Sequence, residues 1–78
     1  MEAIPLSRLP TGQRAAVIKL NCSEALCRRL EDLGMMEGTE LRCLHRSPAG
    51  SPAAYELRGA VIALRREDAA EIFIEVQP

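Results

Sequence analysis

Asn21-Cys22-Ser23-Glu24-Ala25-Leu26-Cys27-Arg28-Arg29-Leu30-Glu31-Asp32-Leu33-Gly34 is the stretch on which the fold turns. Leu26, Leu30 and Leu33 recur at spacings of four and three, the period of one helical face, so a narrow apolar stripe runs along it. Asn21 or Ser23 supplies an oxygen to cap the first turn, and Asn21 with Glu24 has capping-box spacing. Glu24 and Arg28 are placed to pair four residues apart. Gly34 follows the stripe directly, where a left-handed residue ends a helix. The spacing predicts one helix over residues 21–33.

On both sides of it the pattern is that of strands. Residues 14–20 carry Val17, Ile18 and Leu20, with apolar residues in both phases, so either face can be the inner one. Ahead of them, Leu6 and Leu9 fit one helical turn before Pro10-Thr11-Gly12 breaks it. After the helix, Glu37-Gly38 marks a turn, and residues 39–46 alternate, with Leu41 and Cys43 on one face and Arg42 on the other. Pro48-Ala49-Gly50-Ser51-Pro52 is a rigid loop. Residues 54–57 and 60–64 read as short strands joined by a tight Arg58-Gly59 hairpin. Residues 67–70 fit a helical turn, and Ile72, Ile74 and Val76 alternate as a closing strand. The expected fold is mostly β: a small barrel with one helix inserted after the first strand, because dense short strands must curl to cover their edges.

Seventy-eight residues make a single domain, 1–78, with a thin core, since a chain near this size buries only about 60% of its unfolded surface. The net charge of −1 has its signs interleaved, and Tyr55 and Phe73 are the only aromatic residues. Nucleic acid is therefore not the expected partner: phosphate binding needs a positive excess, and single strands need a stacking platform. The opening Met1-Glu2-Ala3-Ile4-Pro5 lacks the basic start and apolar run of a signal peptide, and no stretch has the length of a membrane helix. Three cysteines cannot all pair, which predicts a reducing, cytoplasmic setting.

Three further motifs carry a resemblance. Residues 29–38 read Arg29-Leu30-x-x-Leu33-Gly34-Met35-x-x-Gly38, then Pro48-x-Gly50-x-Pro52 follows one strand later. Ile62-Ala63-Leu64-Arg65, with Ala69 and Ile72 beyond it, closes the pattern. Together these resemble the FeoA family, small cytosolic proteins of bacterial ferrous iron uptake, over nearly the whole chain from Leu6 to Val76. The resemblance implies an SH3-like barrel and a partner, the membrane GTP-binding iron permease FeoB. The same domain ends some metal-dependent repressors. Two positions depart from the family pattern: Ser51 stands where an acid is common, and Glu37 where proline is common.

No catalytic constellation is present. His45 is the single histidine, no phosphate-binding or nucleophile motif occurs, and the carboxylates are scattered, so no enzymatic role and no cofactor are expected. Cys43 and His45, two apart on a strand, are read as sharing a face. Cys22 and Cys27, five apart, do not have zinc-knuckle spacing. Cys27 and Cys43 are read as small core residues, with no metal site assigned and a weak, exposed metal contact at His45 left open.

The partner-binding residues are placed at Met35, Met36 and Glu37 in the turn after the helix, and at Phe73 on the last strand. Adjacent methionines at a turn cannot both point inward, and Phe73 falls out of phase with Ile72 and Ile74. The sequence leaves open whether turn and strand form one patch or two. The first reading is an accessory protein that binds and modulates FeoB. The alternative is a metal-responsive regulatory domain that senses or chaperones a divalent ion. Weak self-association through exposed Met and Phe is compatible with both.

Overall fold

Within Arg14–Leu20 the inward set changes phase. In the computed structural model, which describes residues 2–78, Ala15 and Val17 are buried, Ile18 and Lys19 face out, and Leu20 turns back toward the core. Its partner strand shows why. Val17 pairs with Ile74 and Lys19 with Phe73, so Ile18 is an extra residue, a β-bulge that reverses the alternation. Apolar residues in both phases were the sequence trace of that reversal.

The strands are β1 (Ile4–Pro5), β2 (Arg14–Leu20), β3 (Glu40–Arg46), β4 (Ala53–Leu57), β5 (Ala60–Leu64) and β6 (Ile72–Val76). Helix α1 (Glu24–Asp32) joins β2 to β3, a single 3-10 turn (Leu6–Arg8) follows β1, and α2 (Arg66–Ala69) precedes β6. The sheet order is β1-β6-β2-β3-β4-β5, every pair antiparallel. The fold is mostly β with one inserted helix, as expected, but two details differ. A two-residue β1 precedes β2, so α1 follows the second strand. And among the described residues no ladder joins β1 to β5, so the sheet curls without closing. The reading of the opening residue, Met1, lies outside the described part.

The sheet wraps a core of Leu6, Leu9, Val17, Leu30, Met35, Leu41, Tyr55, Leu57, Leu64, Ile72 and Ile74, all nearly or wholly inaccessible. Leu30 is the residue through which α1 covers this core, while Leu26 is half-buried at its edge. The helix is three residues shorter at its start than its pattern suggests. Ser23 is the cap, its Oγ accepting from the Leu26 amide at 3.2 Å, while the Asn21 amide donates to the Glu71 carbonyl at 2.8 Å. The Arg58-Gly59 hairpin has φ of 50° and 78°, both positive as a two-residue type I′ turn requires.

The Pro48–Pro52 loop does structural work that its composition did not disclose. The Ser51 hydroxyl accepts the Arg66 amide at 3.0 Å, capping α2 from a distant part of the chain. Arg65, the local cap residue, makes no side-chain cap bond. An acid at position 51 would serve the same role with a full charge on the helix start, so the departure from the family pattern keeps the function of the position.

Candidate functional site

The turn that leaves α1 is held by backbone bonds on both sides. The Met35 amide donates to the Leu30 carbonyl at 2.8 Å and the Gly34 amide to Glu31 at 2.9 Å, the paired bonds of a Schellman motif. Gly34 takes φ of +98°, and a Cβ there would sit 3.0 Å from Arg58 Cδ, so only glycine fits without strain. The motif brings Met35 back onto Leu30, and both are wholly buried.

Met36 through Thr39 form the next turn. The Thr39 amide donates to the Met36 carbonyl at 3.0 Å, and Gly38 has φ of +89°, which matches a type II turn with Glu37 at its second position. Thr39 is buried and locks the corner: its hydroxyl donates to the Gly34 carbonyl and accepts the Met36 amide, each at 3.1 Å. Proline is favoured at the second position because its φ is preset and no amide is needed. Glu37 likewise donates no backbone hydrogen bond. Glu37→Pro is therefore expected to raise stability by about 0.4–1 kcal/mol, read as a higher denaturant midpoint at unchanged slope. A lower midpoint would show that the turn is of another type.

Of the residues expected to bind a partner, this geometry keeps some outside and withdraws one. Met35 belongs to the core, so its side chain is not available for docking, and its place in the expected set is corrected. Met36 is 42% exposed and Glu37 is exposed. Phe73 is only half-buried, on the outer face between Pro5 and Lys19, its partners in β1 and β2.

The turn and the last strand are linked. Gly38 donates to the Val17 carbonyl at 2.8 Å and Val17 to the Thr39 carbonyl at 2.9 Å, while on its other side Val17 pairs with Ile74. The bulged Ile18, next in line and 41% exposed, therefore stands between the Met36 turn and Phe73. The Met36–Thr39 turn and β6 thus flank the same stretch of β2, Val17 to Lys19, from opposite sides. Ile18, Leu33, Val61 and Val76 are exposed apolar residues that sequence reasoning missed, Val61 and Val76 lying on β5 and at the end of β6. Leu33 was read into the buried stripe, but α1 ends at Asp32 and the chain reverses at Gly34, leaving Leu33 41% exposed.

The cysteine and histidine readings are also revised. Cys43 pairs with Tyr55 and His45 with Ala54, so Leu44 is a second bulge, and the phase change turns Cys43 inward and His45 outward. They do not share a face. Cys43 is a core residue; Cys27 is not, being half-buried with its Sγ 2.7 Å from that of Cys22. Among the described residues no three His, Cys, Asp or Glu side chains gather as a metal-binding group, and no helix is long and apolar enough to cross a membrane.

Known proteins share this arrangement. Residues 4–76 match the FeoA domain family. A curated relative, an Fe(2+) transport protein A/Fe(2+) transporter FeoB fusion protein of Porphyromonas gingivalis, is 30% identical over 71 residues, which is 91% of the chain. The chain spans only 8% of that protein's length. The solution structure of FeoA from Chlorobium tepidum superposes with a TM-score of 0.92 at 33% identity, over 96% of this chain and 71% of that one. FeoA of Stenotrophomonas maltophilia, solved with zinc and described as an SH3 domain protein, gives 0.78 at 30% identity, over 90% and 87%. With the match running from β1 to the end of β6, the chain belongs to the FeoA domain family.

Proposed function

We propose that this domain is an accessory component of ferrous iron uptake. It docks on the cytoplasmic side of the membrane permease FeoB and modulates it through protein contact alone. The observation that carries this reading is the Porphyromonas gingivalis protein, in which a similar domain and the transporter occupy one chain. Components fused in one chain work at high effective concentration, and separate chains must replace that tether with a surface. The surface is the strip of Met36, Ile18 and Phe73. Met36 is flexible in its side chain but fixed in its backbone, a combination suited to an adaptable contact. Glu37, Glu71 and Glu75 lie beside it in sequence and supply a polar rim.

The test uses two variants, Met36→Glu and Phe73→Glu, each first shown to melt like the parent. A charge placed on a buried anchor is expected to cost about 2 kcal/mol or more of binding, roughly a 30-fold loss of affinity. Pull-down of FeoB and ferrous uptake should both fall for at least one variant. Two folded variants that bind and support uptake like the parent would exclude this strip as the docking face.

A further inference from the structure

The connection from β2 to α1 holds two half-buried thiols in contact. Cys22 precedes the helix cap and Cys27 sits in the first turn, with their Sγ atoms 2.7 Å apart. That separation is too short for two sulfurs merely packed together, and a covalent bond of about 2.05 Å lies only about 0.7 Å closer. The surroundings point the same way. Cys27 Sγ is directed at the backbone carbonyls of Cys22 and Leu20, at 3.5 and 3.9 Å, so it is aimed back over the connection rather than into the core. Burial, and after it the neighbouring Cys27, push the Cys22 thiol up to about 11, so it holds its proton at neutral pH in the reduced protein. Cys43, the third thiol, is wholly buried elsewhere in the core and belongs to no pair.

We infer that Cys22 and Cys27 form a redox modification site, a dithiol that closes to an intramolecular disulfide when a small-molecule disulfide reaches it. One thiol of the pair loses its proton and attacks a sulfur of the oxidant, expelling one small thiolate and leaving a mixed disulfide. The second thiol, deprotonated in turn, attacks the protein sulfur of that mixed disulfide, forming the Cys22–Cys27 bond and releasing the other small thiol. The protein gives up two electrons and two protons, and the oxidant is reduced to two thiols. The second step is intramolecular, with the resolving sulfur already in contact, 2.7 Å away in the reduced protein. The bond links the end of β2 to the first turn of α1 across the Ser23 cap, and it fixes the helix from its start. This inference does not depend on the docking proposal.

The full chain is equilibrated anaerobically with oxidised glutathione as the probe, quenched with acid, alkylated after unfolding and weighed intact. The expected product is a monomer lighter by two hydrogen atoms, in which only Cys43 takes the alkylating group and peptide mapping joins Cys22 to Cys27. Cys22→Ser and Cys27→Ser should each stop at a glutathione adduct instead. The oxidised protein should melt higher than the reduced one, on the order of 5–10 °C, because the bond restricts the unfolded chain while fitting the native geometry. A persistent glutathione adduct on the parent chain, a disulfide-linked dimer, untouched thiols in excess oxidant, or a lower melting temperature of the oxidised form would each overturn the inference.

Discussion

Replacing Tyr55 by alanine is expected to cost about 3–5 kcal/mol, most of what holds a domain of this size together. Tyr55 is among the largest of the wholly buried side chains, in the middle of β4, with the buried Cys43 opposite it in β3 and Ile62 in β5. Its removal opens a cavity that those strands cannot collapse to fill. Tyr55→Phe is the informative companion. The hydroxyl is buried without a hydrogen-bond partner, since the nearby Arg46 guanidinium donates to the Leu9 carbonyl instead. An unpartnered polar atom contributes nothing to offset its desolvation, so the phenylalanine variant should match the parent within about 1 kcal/mol or exceed it. A large loss in Tyr55→Phe would mean that the hydroxyl is satisfied, by a bound water or by the neighbouring Arg46 guanidinium.

The same residue sets an alkaline limit. Burial raises its pKa above the ordinary 10.0, an effect only partly opposed by the Arg46 charge. An unfolded Tyr55 loses its proton near pH 10, while the folded one holds it to higher pH, so the folded state binds the extra proton. Stability is therefore complete below about pH 10 and declines as pH rises through the folded value. Denaturant midpoints measured across that range should fall less steeply for Tyr55→Phe than for the parent. Equal slopes would show that the phenol is exposed to water in the native protein.

Leu30→Ala is the second large effect, about 2–5 kcal/mol. Leu30 is the wholly buried residue of α1, and its carbonyl also accepts the Met35 amide that closes the helix. Truncating it loosens both the cover over the core and the base on which Met36 stands. The variant should melt early and weaken FeoB pull-down even in the fraction that remains folded. A denaturant midpoint equal to the parent's would mean that α1 does not cover the core.

The sequence disclosed the elements closely because each carries its own local signal. The β2 and β5 ranges, the Gly34 stop and the Arg58-Gly59 turn all follow from periodicity and from residues that tolerate positive φ. What it hid was two-body information. Cys43 and His45 were placed on one face by counting in twos, and a bulge at Leu44, visible only in the pairing with β4, separates them. Leu33 looked like the third rung of a buried stripe because periodicity does not state where the helix lets go of the core. The residues proposed for docking were half legible: two methionines at a turn require one in and one out, but only the Schellman bonds decide that Met35 is the inner one. The Cys22–Cys27 contact could not be read from spacing, since it depends on the helix starting after Ser23 rather than at Asn21.

The bulge at Ile18 also bears on how such chains are compared with one another. A strand that alternates without interruption is written in one reading frame, and losing a single residue from its middle sends every later side chain to the wrong face. β2 is written in two frames, joined at Ile18. A relative that lacks one residue at that point can still pair, in register, with the strand corresponding to β6, with a straight ladder in place of the kink. In an alignment of related chains, a one-residue gap at position 18 would therefore preserve the fold. The same gap at Ala16 would also straighten the ladder, but with Ile18 in place of Val17 as the inward residue opposite Ile74.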